Sequence, residues 1–150
     1  MGARSQDVVL YTIGYEGHSL SSLVRTLKDN NIERLVDVRL RPHSRQKGMS
    51  LMSLFERLRK AGIHYDHLGE LGNPVSSRSL FFAGEIDKGR RAYRRIITNG
   101  KASSVDTLVG LARAQRTAIM CREGNAEDCH RWVIAEVAAE RDQGVMVKHL

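Results

Sequence analysis

Cysteine, proline and long hydrophobic runs are scarce in this chain. The scarcity of cysteine and of long hydrophobic runs excludes two classes of protein. The 150 residues include two cysteines and two prolines, too few cysteines for the disulfide framework of a small secreted domain. No stretch approaches the roughly 18 apolar residues of a membrane-spanning helix, and the N-terminus does not resemble a signal peptide. We therefore expect a cytoplasmic protein with no membrane partner, in which both cysteines are reduced.

Familiar catalytic and nucleotide-binding motifs are also missing. The sequence has no Ser-His-Asp triad pattern, no Walker-type phosphate loop and no Gly-x-Gly-x-x-Gly dinucleotide fingerprint. Aromatic residues make up 5% of the chain, and no known nucleic-acid-reading motif is present. Sequence-specific recognition of bases is therefore not expected.

Positive charge, by contrast, is abundant. Lys and Arg number 24 against 17 Asp and Glu, which gives a formal net charge of +7 and a sequence pI of about 9.8. Much of the excess lies in segments 39–60 and 88–95. This balance favours an anionic partner, although a solvated basic surface that only aids solubility explains it equally well.

Short apolar runs alternate with amphipathic stripes along the whole chain. The runs predict five strands, at 8–14, 34–39, 63–68, a segment ending at 121, and 145–150, with helices between them. Strands separated by helices form right-handed crossovers around a mostly parallel sheet. We predict one α/β domain over residues 1–150, a Rossmann-like three-layer fold with a five-stranded sheet and helices on both faces.

One segment lacks a regular pattern. Residues 69–84 contain Pro74 and a cluster of Ser and Arg, and their length is typical of a binding loop or lid. A flexible insert is the alternative.

Polar segments follow four of the predicted strands, at 14–18, 37–39, 69–72 and 121–131. In open parallel sheets, ligands bind beyond the carboxyl ends of the strands. We therefore expect one rim to gather these segments. An anionic small molecule or a nucleic acid would bind there.

The segment 117–131 is the most informative, because it joins an apolar strand, a thiol, a polar turn and a helix start for which Asp128 is the predicted N-cap. A helix N-terminus favours anions and lowers the pKa of a thiol. Cys121 is thus a candidate nucleophile, the alternative being a small apolar residue at the end of a buried strand. Cys129 either lines the ligand site or fills space beneath the loop.

The residues around these cysteines carry charge and proton-transfer chemistry. His130 is a candidate catalytic group that would give Cys121 thiolate character. Arg131 and Glu123 are candidate ligand-binding residues, since a guanidinium grips phosphate or carboxylate bidentately. Alternatively, Arg131 pairs with an acidic neighbour and only orders the loop; the candidate partners are Glu123, Glu127 and Asp37.

The second strand ends in an acidic and basic pair. Asp37 and Arg39 share one face of the strand because side chains alternate. Asp37 is a candidate general base, although a hydrogen-bond anchor for neighbouring loops is the commoner role. Arg39 and Arg41 are candidate phosphate ligands on a cationic loop, with surface solvation as the competing explanation.

The first strand ends in Gly14, which permits a close backbone approach to a ligand. Tyr15 and His18 are further candidate ligand-binding residues, and Glu16 is a candidate catalytic carboxylate that could orient His18 for proton transfer. In the alternative interpretation, these residues only shape the loop before a helix that Ser19 caps.

Cys121, Cys129 and His130 could supply three zinc ligands, with Glu123 or His18 as a fourth, but no metal or other cofactor is predicted. Structural zinc sites usually pair cysteines two to four residues apart, whereas Cys121 and Cys129 are eight apart. We also expect the adjacent side chains of Cys129 and His130 to point in different directions on a helix.

Five motifs occur in order along the chain: 12–20, 36–42, 64–72, Cys121-x-Glu123 and Cys129-His130-Arg131. Through them, the sequence resembles the Domain of Unknown Function 488 family over nearly its whole length. The resemblance implies an α/β domain with a shared rim and implies no particular reaction.

A weaker likeness connects segments 35–39 and 119–125 with rhodanese-like domains, in which backbone N–H groups cradle a thiolate. Here Arg131 lies ten positions after Cys121 rather than the six of a phosphatase loop, so the loop is too long to wrap one phosphate group in that way. At the level of the fold, this likeness raises the expectation of an anion site.

These observations predict a protein that binds an anionic or phosphate-bearing ligand at the rim. Whether it is an enzyme stays open; a cysteine-dependent or acid/base enzyme acting on a nucleotide-like or nucleic-acid-like substrate fits the residues. The alternatives are a non-catalytic nucleic-acid-binding module with a basic face and a protein-interaction domain whose rim is held by ion pairs. The pattern indicates no oligomeric state.

Overall fold

The computed structural model describes residues 7–150, in which strands and helices alternate as the apolar pattern predicts. The elements are β1 (Val8–Gly14), α1 (Leu20–Asp29), β2 (Arg34–Asp37), α2 (Leu51–Lys60), β3 (His64–His67), α3 (Val75–Phe82), α4 (Ile86–Thr98), α5 (Ala102–Ala114), β4 (Thr117–Cys121), α6 (His130–Arg141) and β5 (Val145–His149). Short 3-10 turns lie at Gly69–Leu71 and Ala126–Asp128.

The five strands form one parallel sheet in the order β3-β2-β4-β1-β5. Gly14 of β1 is in register with Cys121 of β4, and Asp37 of β2 is in register with Met120. The carboxyl ends of these three central strands therefore lie level with one another. The predicted α/β class and five-stranded sheet are confirmed.

The sheet separates two hydrophobic cores. Helices α1 and α2 cover one face, while α4, α5 and α6 pack on the other. Side chains of β4 alternate between the faces, so Met120 points toward α1 and α2, and Cys121 belongs to the core on the side of α6. The alternation buries both faces of the sheet, which is typical of parallel sheets.

The strand order creates a ligand-binding position between β2 and β4. The connection after β2 runs through α2 on one face of the sheet, whereas the connection after β4 runs through α6 on the other face in the opposite direction. Such a switch point leaves a crevice beyond the strand ends, where open α/β sheets bind ligands.

Several predicted boundaries are wrong. Strands β3 and β5, predicted at 63–68 and 145–150, span His64–His67 and Val145–His149. Residues 69–84 are not irregular, because Gly69–Leu71 forms a 3-10 turn and Val75–Phe82 forms α3 after an extended Pro74 at its N-cap. Strand β2 ends at Asp37 rather than at residue 39. Helix α6 is capped by Cys129 and not by Asp128, which belongs to the preceding 3-10 turn.

The longest helices of residues 7–150 have 13 residues, and none is both long and apolar enough to span a bilayer.

Candidate functional site

Cys121 and Cys129 meet beneath the crevice, where the structure joins them in a disulfide. Cys121 ends β4 and Cys129 begins α6, so the eight-residue separation closes a loop between two buried elements. Both side chains are 1% exposed. The expectation of two reduced thiols is therefore wrong for this structure.

His130 lies directly against this pair. Its Nδ1 is 3.6 Å from Cys129 Sγ, and its Nε2 donates to the Val38 carbonyl at 2.9 Å. The expectation that these adjacent side chains diverge is wrong, because Cys129 has the extended dihedrals of an N-cap (φ −130°, ψ 149°) rather than helical ones. Burial lowers the pKa of His130 to about 4, so its imidazole is neutral near pH 7.

Arg131 is wholly buried and holds the cysteine loop against β1. Its guanidinium donates to Thr12 Oγ1 at 3.1 Å, to Cys121 Sγ at 3.0 Å, and to the carbonyl oxygens of Glu123 and Gly124 at 2.5 and 3.3 Å. Burial lowers its pKa to about 10, which leaves it charged near neutrality. The guanidinium thus serves protein groups, and the structure does not present it at the surface of the rim.

Glu123 lies between the disulfide and the crevice. Its Oε2 is 3.5 Å from Cys121 Sγ; because a disulfide sulfur carries no hydrogen, this is a packing contact rather than a hydrogen bond. Burial raises the pKa of Glu123, partly offset by hydrogen bonding to its own backbone and by nearby arginines. The carboxylate therefore sits in a poorly solvated position next to sulfur.

Asp37 is a fully buried hydrogen-bond acceptor. It receives the backbone N–H of Arg39 at 3.1 Å, the Arg39 guanidinium at 2.7 to 3.1 Å, and the Tyr65 hydroxyl at 2.5 Å. Arg39 also donates to the Met49 carbonyl at 2.6 Å and lies 5.3 Å from the centre of the Tyr15 ring. This network has the geometry of the anchor interpretation, in which both residues fix the loop between β2 and α2.

Residues after β1 take separate roles. Gly14 passes so close to the Glu123 carbonyl that a Cβ at this position would overlap it. Glu16 is exposed, accepts from the Gly124 N–H at 3.4 Å, and lies 3.9 Å from Arg122. His18 contacts Ser22 Oγ through Nδ1 at 2.9 Å. Glu16 and His18 are therefore not hydrogen-bonded to each other.

Two adjoining cavities of about 370 and 310 Å³ form the crevice above the disulfide. They share the walls Asn73, Arg78, Phe82, Arg122, Glu123 and His130. Cys129 lines the larger cavity, and Cys121 lines the smaller one together with Arg39 and Arg41. The structure thus brings the segments after β1, β2 and β4 to one crevice, as the strand order requires.

Sequence reasoning missed a group of residues in this crevice: His43, Asn73, Arg78, Phe82 and Arg122. Arg78 and Phe82 were overlooked because segment 69–84 has no helical hydrophobic stripe, yet it folds as α3 and covers the crevice. The length of 69–84 and its Ser and Arg cluster predicted a binding loop or lid here, but they did not indicate that Arg78 and Phe82 would line the crevice.

Comparison with known proteins agrees with the sequence motifs. The family model described as Domain of unknown function DUF488 matches residues 19–138. Searches of curated proteins and of solved structures gave no match, and the likeness to rhodanese-like domains stays a prediction. Since the family match covers most of the chain, including the cysteine loop, the protein belongs to the family Domain of unknown function DUF488.

Proposed function

We propose that the crevice between the ends of β2 and β4 binds a phosphate-bearing small molecule, and that the basic side chains on its walls hold the phosphate. The supporting observation is that Arg41, His43, Arg78 and Arg122 line one pair of adjoining cavities at the switch point of the sheet. Glu16, Glu123 and Asp128 also line the larger cavity, whereas Glu123 is the acidic residue among the walls of the smaller one. A cleft in which charge of one sign predominates concentrates ligands of the opposite sign, so the smaller cavity is the better site for the phosphate.

The availability of these cations matters more than their number. Within the described range 7–150, the exposed guanidinium groups of Arg41 and Arg78 form no ion pair, and Arg122 has only a long contact of 3.9 Å to Glu16. A planar guanidinium binds phosphate bidentately. Arg39 and Arg131 contribute by holding the loops that carry these groups, since their own N–H donors are engaged inside the protein.

Apolar side chains on the same walls favour a ligand with a ring. Phe82 is 68% exposed and Leu40 is 38% exposed at the smaller cavity. An exposed aromatic face stacks well on a nucleobase, and each cavity has the size of a small-molecule site. A nucleotide whose phosphate binds Arg78 and whose base stacks on Phe82 would contact both the cationic and the apolar side chains of the crevice.

The proposal concerns binding, because the candidate catalytic groups are engaged elsewhere. The oxygens of Asp37 accept from Arg39 and Tyr65, which disfavours its use as a general base. Cys121 is bonded to Cys129, so a reaction that uses its thiolate would require the reduced protein. Binding at the crevice requires neither.

Nucleic acid presents the same phosphate chemistry and is the alternative source. Several cations of segment 88–95 already have partners, however: Lys88 pairs with Glu85, and Arg94 pairs with Glu136 and Glu140. Arg90 donates to the Glu127 carbonyl and lies over the Trp132 ring. A face whose charges are partly neutralised is less suited to follow a phosphate backbone, and this favours a small ligand.

Isothermal titration of the protein with a nucleoside monophosphate, the matching nucleoside and inorganic phosphate tests the proposal. We expect the nucleotide to bind more tightly than either part, and Arg78→Ala to weaken it at least tenfold, since a hydrogen bond to a charged group contributes about 1.5 to 3 kcal/mol. Phe82→Ala should reduce nucleotide affinity while leaving inorganic phosphate unchanged. Arg25→Ala, which removes an exposed arginine of α1 away from the crevice, is the matched control.

A second arm uses single-stranded oligonucleotides between about 50 and 200 mM salt, over which a backbone-tracking protein loses orders of magnitude in affinity. Oligonucleotide binding that is tighter than mononucleotide binding and unaffected by Arg78→Ala would replace the proposal with the nucleic-acid alternative. Equal losses in the Arg78 and Arg25 variants would show that only net charge matters and would overturn the site.

A further inference from the structure

We propose that the reduced forms of Cys121 and Cys129, together with Nδ1 of His130, form a metal centre for a zinc-class divalent ion at the floor of the crevice. The inference goes beyond the proposed anion site, because it concerns different atoms and a different state of the protein.

The three donor atoms already lie together. Both sulfurs and a ring nitrogen of His130 fall within 4.8 Å of one another, and the three side chains are 1%, 1% and 5% exposed. Two thiolates and an imidazole are a donor set that zinc prefers. A buried set of donors on β4 and α6 is also held by rigid elements rather than by a mobile loop.

His130 is oriented as a ligand. Its Nε2 donates to the Val38 carbonyl at 2.9 Å, so the proton is on Nε2 and the lone pair of Nδ1 points toward Cys129 Sγ at 3.6 Å. A disulfide sulfur has no proton to donate, which leaves this buried nitrogen facing sulfur without a hydrogen-bond donor. Metal-binding histidines characteristically donate their second ring N–H to a carbonyl or carboxylate.

N–H groups are also directed at both sulfurs. Arg131 Nη1 is 3.0 Å from Cys121 Sγ, and the backbone N–H of Arg131 is 3.5 Å from Cys129 Sγ. The other hydrogen bonds of the guanidinium go to a hydroxyl and to two carbonyl oxygens, none of which carries a full negative charge. Two thiolates and a nearby carboxylate, that of Glu123, would balance the charges of Arg131 and a divalent ion.

The backbone spacing suits a bridging ion. The Cα atoms of Cys121 and Cys129 are 7.5 Å apart, whereas disulfides usually join residues whose Cα atoms are about 4.4 to 6.8 Å apart. Two thiolates on one tetrahedral ion, each about 2.3 Å from it, lie roughly 3.8 Å from each other. A metal therefore accommodates the wider spacing of these two elements.

The crevice provides the fourth ligand position. Cys121 and Glu123 border the smaller cavity, and Cys129 borders the larger one. Three protein ligands with a fourth position open to a ligand are typical of catalytic zinc sites, while a fourth protein ligand such as Glu123 would close the site.

Metal binding and the disulfide exclude each other chemically. A phosphine reductant cleaves the S–S bond with two electrons; water supplies the two thiol protons and its oxygen leaves as phosphine oxide. Binding of the divalent ion then releases two thiol protons to solvent and forms two metal–sulfur bonds and one metal–nitrogen bond. The oxidised protein is therefore a built-in negative control.

Anaerobic titration of the phosphine-reduced full chain with Co²⁺ tests the proposal. We expect one ion per chain, a thiolate-to-cobalt charge-transfer band and the visible bands of tetrahedral cobalt, all bleached by one equivalent of Zn²⁺. The oxidised protein should show none of these bands. Because no phosphate-bearing ligand is added, this result is independent of whether the crevice binds phosphate.

Variants separate the proposed ligands from other metal-binding groups. Cys121→Ser and Cys129→Ser should each roughly halve the charge-transfer intensity and weaken binding at least tenfold, consistent with losses seen when a metal site is disturbed. His64→Ala removes an exposed histidine of β3 that lines neither cavity, and it should bind cobalt like the unaltered protein. Circular dichroism of each reduced variant checks that it is folded.

Two outcomes would overturn the proposal. One is a folded, reduced protein that gives no charge-transfer band with Co²⁺. The other is stoichiometric binding whose charge-transfer band is as intense in Cys121→Ser and Cys129→Ser as in the unaltered protein, or binding that is lost in His64→Ala.

Discussion

The buried pair of Asp37 and Arg39 gives the sharpest prediction of stability. Asp37 is 0% exposed and Arg39 is 7% exposed, and three N–H groups of Arg39 and the Tyr65 hydroxyl donate to the carboxylate. In Asp37→Asn, one oxygen becomes an NH₂ group that faces existing donors, and the guanidinium keeps its charge in a site with little water. Breaking a buried pair in this way costs about 3 to 5 kcal/mol.

A double-mutant cycle separates the interaction from the loss of each side chain. Arg39→Met removes the buried charge and roughly preserves volume, so Asp37→Asn should cost much less in that background, with a coupling of about 2 kcal/mol or more. Urea unfolding near neutral pH, followed by far-ultraviolet circular dichroism, gives each free energy of unfolding. Asp106→Asn, which breaks the exposed pair with Arg141, should change stability little.

The pair of Asp37 and Arg39 is also linked to the crevice. Arg39 ties β2 to Met49 just before α2, and the intervening loop carries Arg41 and His43 to the smaller cavity. Asp37→Asn should therefore weaken nucleotide binding although Asp37 is not a wall of the crevice. A cost below about 1 kcal/mol, or equal costs with and without Arg39, would refute the account of this network.

Other predictions test particular contacts. Gly14→Ala should destabilise the protein by about 1 to 3 kcal/mol in urea unfolding, because the new Cβ would overlap a carbonyl of the cysteine loop; Gly110→Ala, where a Cβ meets nothing within 4 Å in α5, should instead stabilise by about 0.5 to 1 kcal/mol. An equal response of the two glycines would contradict the close approach. Tyr93→Phe removes a buried donor to the Leu71 carbonyl and should lower the free energy of unfolding by about 1 to 3 kcal/mol; an unchanged midpoint would show that this carbonyl needs no partner. The His149 ring stacks on Trp132, and desolvation lowers the pKa of His149. An NMR titration should therefore place the His149 midpoint below 6.5, and Trp132→Ala should raise that midpoint. A midpoint that does not respond to the loss of the indole would contradict desolvation by Trp132 as the cause.

The fold was largely predictable because short apolar runs and amphipathic stripes alternate so regularly. The first strand was predicted at its observed bounds, Val8–Gly14, since both of its faces are apolar. Ser19 and Ser50 marked the starts of α1 and α2 correctly. The order of the strands was not predictable, because it depends on which crossovers pack on which face.

Helix α3 shows where local pattern fails. The buried residue of this helix is Ser77, whose hydroxyl donates to Asn73 Oδ1 at 2.5 Å. Two of its large apolar residues, Val75 and Phe82, are instead 64% and 68% exposed, while Leu80 and Phe81 are half-buried. Because this helix buries a polar residue and exposes two of its large apolar ones, it has no clear hydrophobic stripe, and Arg78 was not identified as a crevice residue.

The candidate site was predictable in its location but not in its chemistry. Level strand ends bring Gly14, Asp37 and Cys121 to one end of the sheet, as parallel strands must. Sequence cannot tell whether a guanidinium faces ligand or protein. Arg131 is engaged inside the protein, and Arg39 borders the smaller cavity but donates to Asp37. Arg78, which was not named as a candidate, is exposed on a wall of the crevice.

The most direct test of the central claim is a heteronuclear NMR titration of the oxidised protein with a nucleoside monophosphate. We predict that amide resonances of 40–43, 78–82 and 122–124 shift together and saturate, while those at the opposite end of the sheet, around 112–116, do not move. Saturable shifts confined to the exposed cations of α4, or no saturable shifts at all, would contradict a ligand site between the ends of β2 and β4.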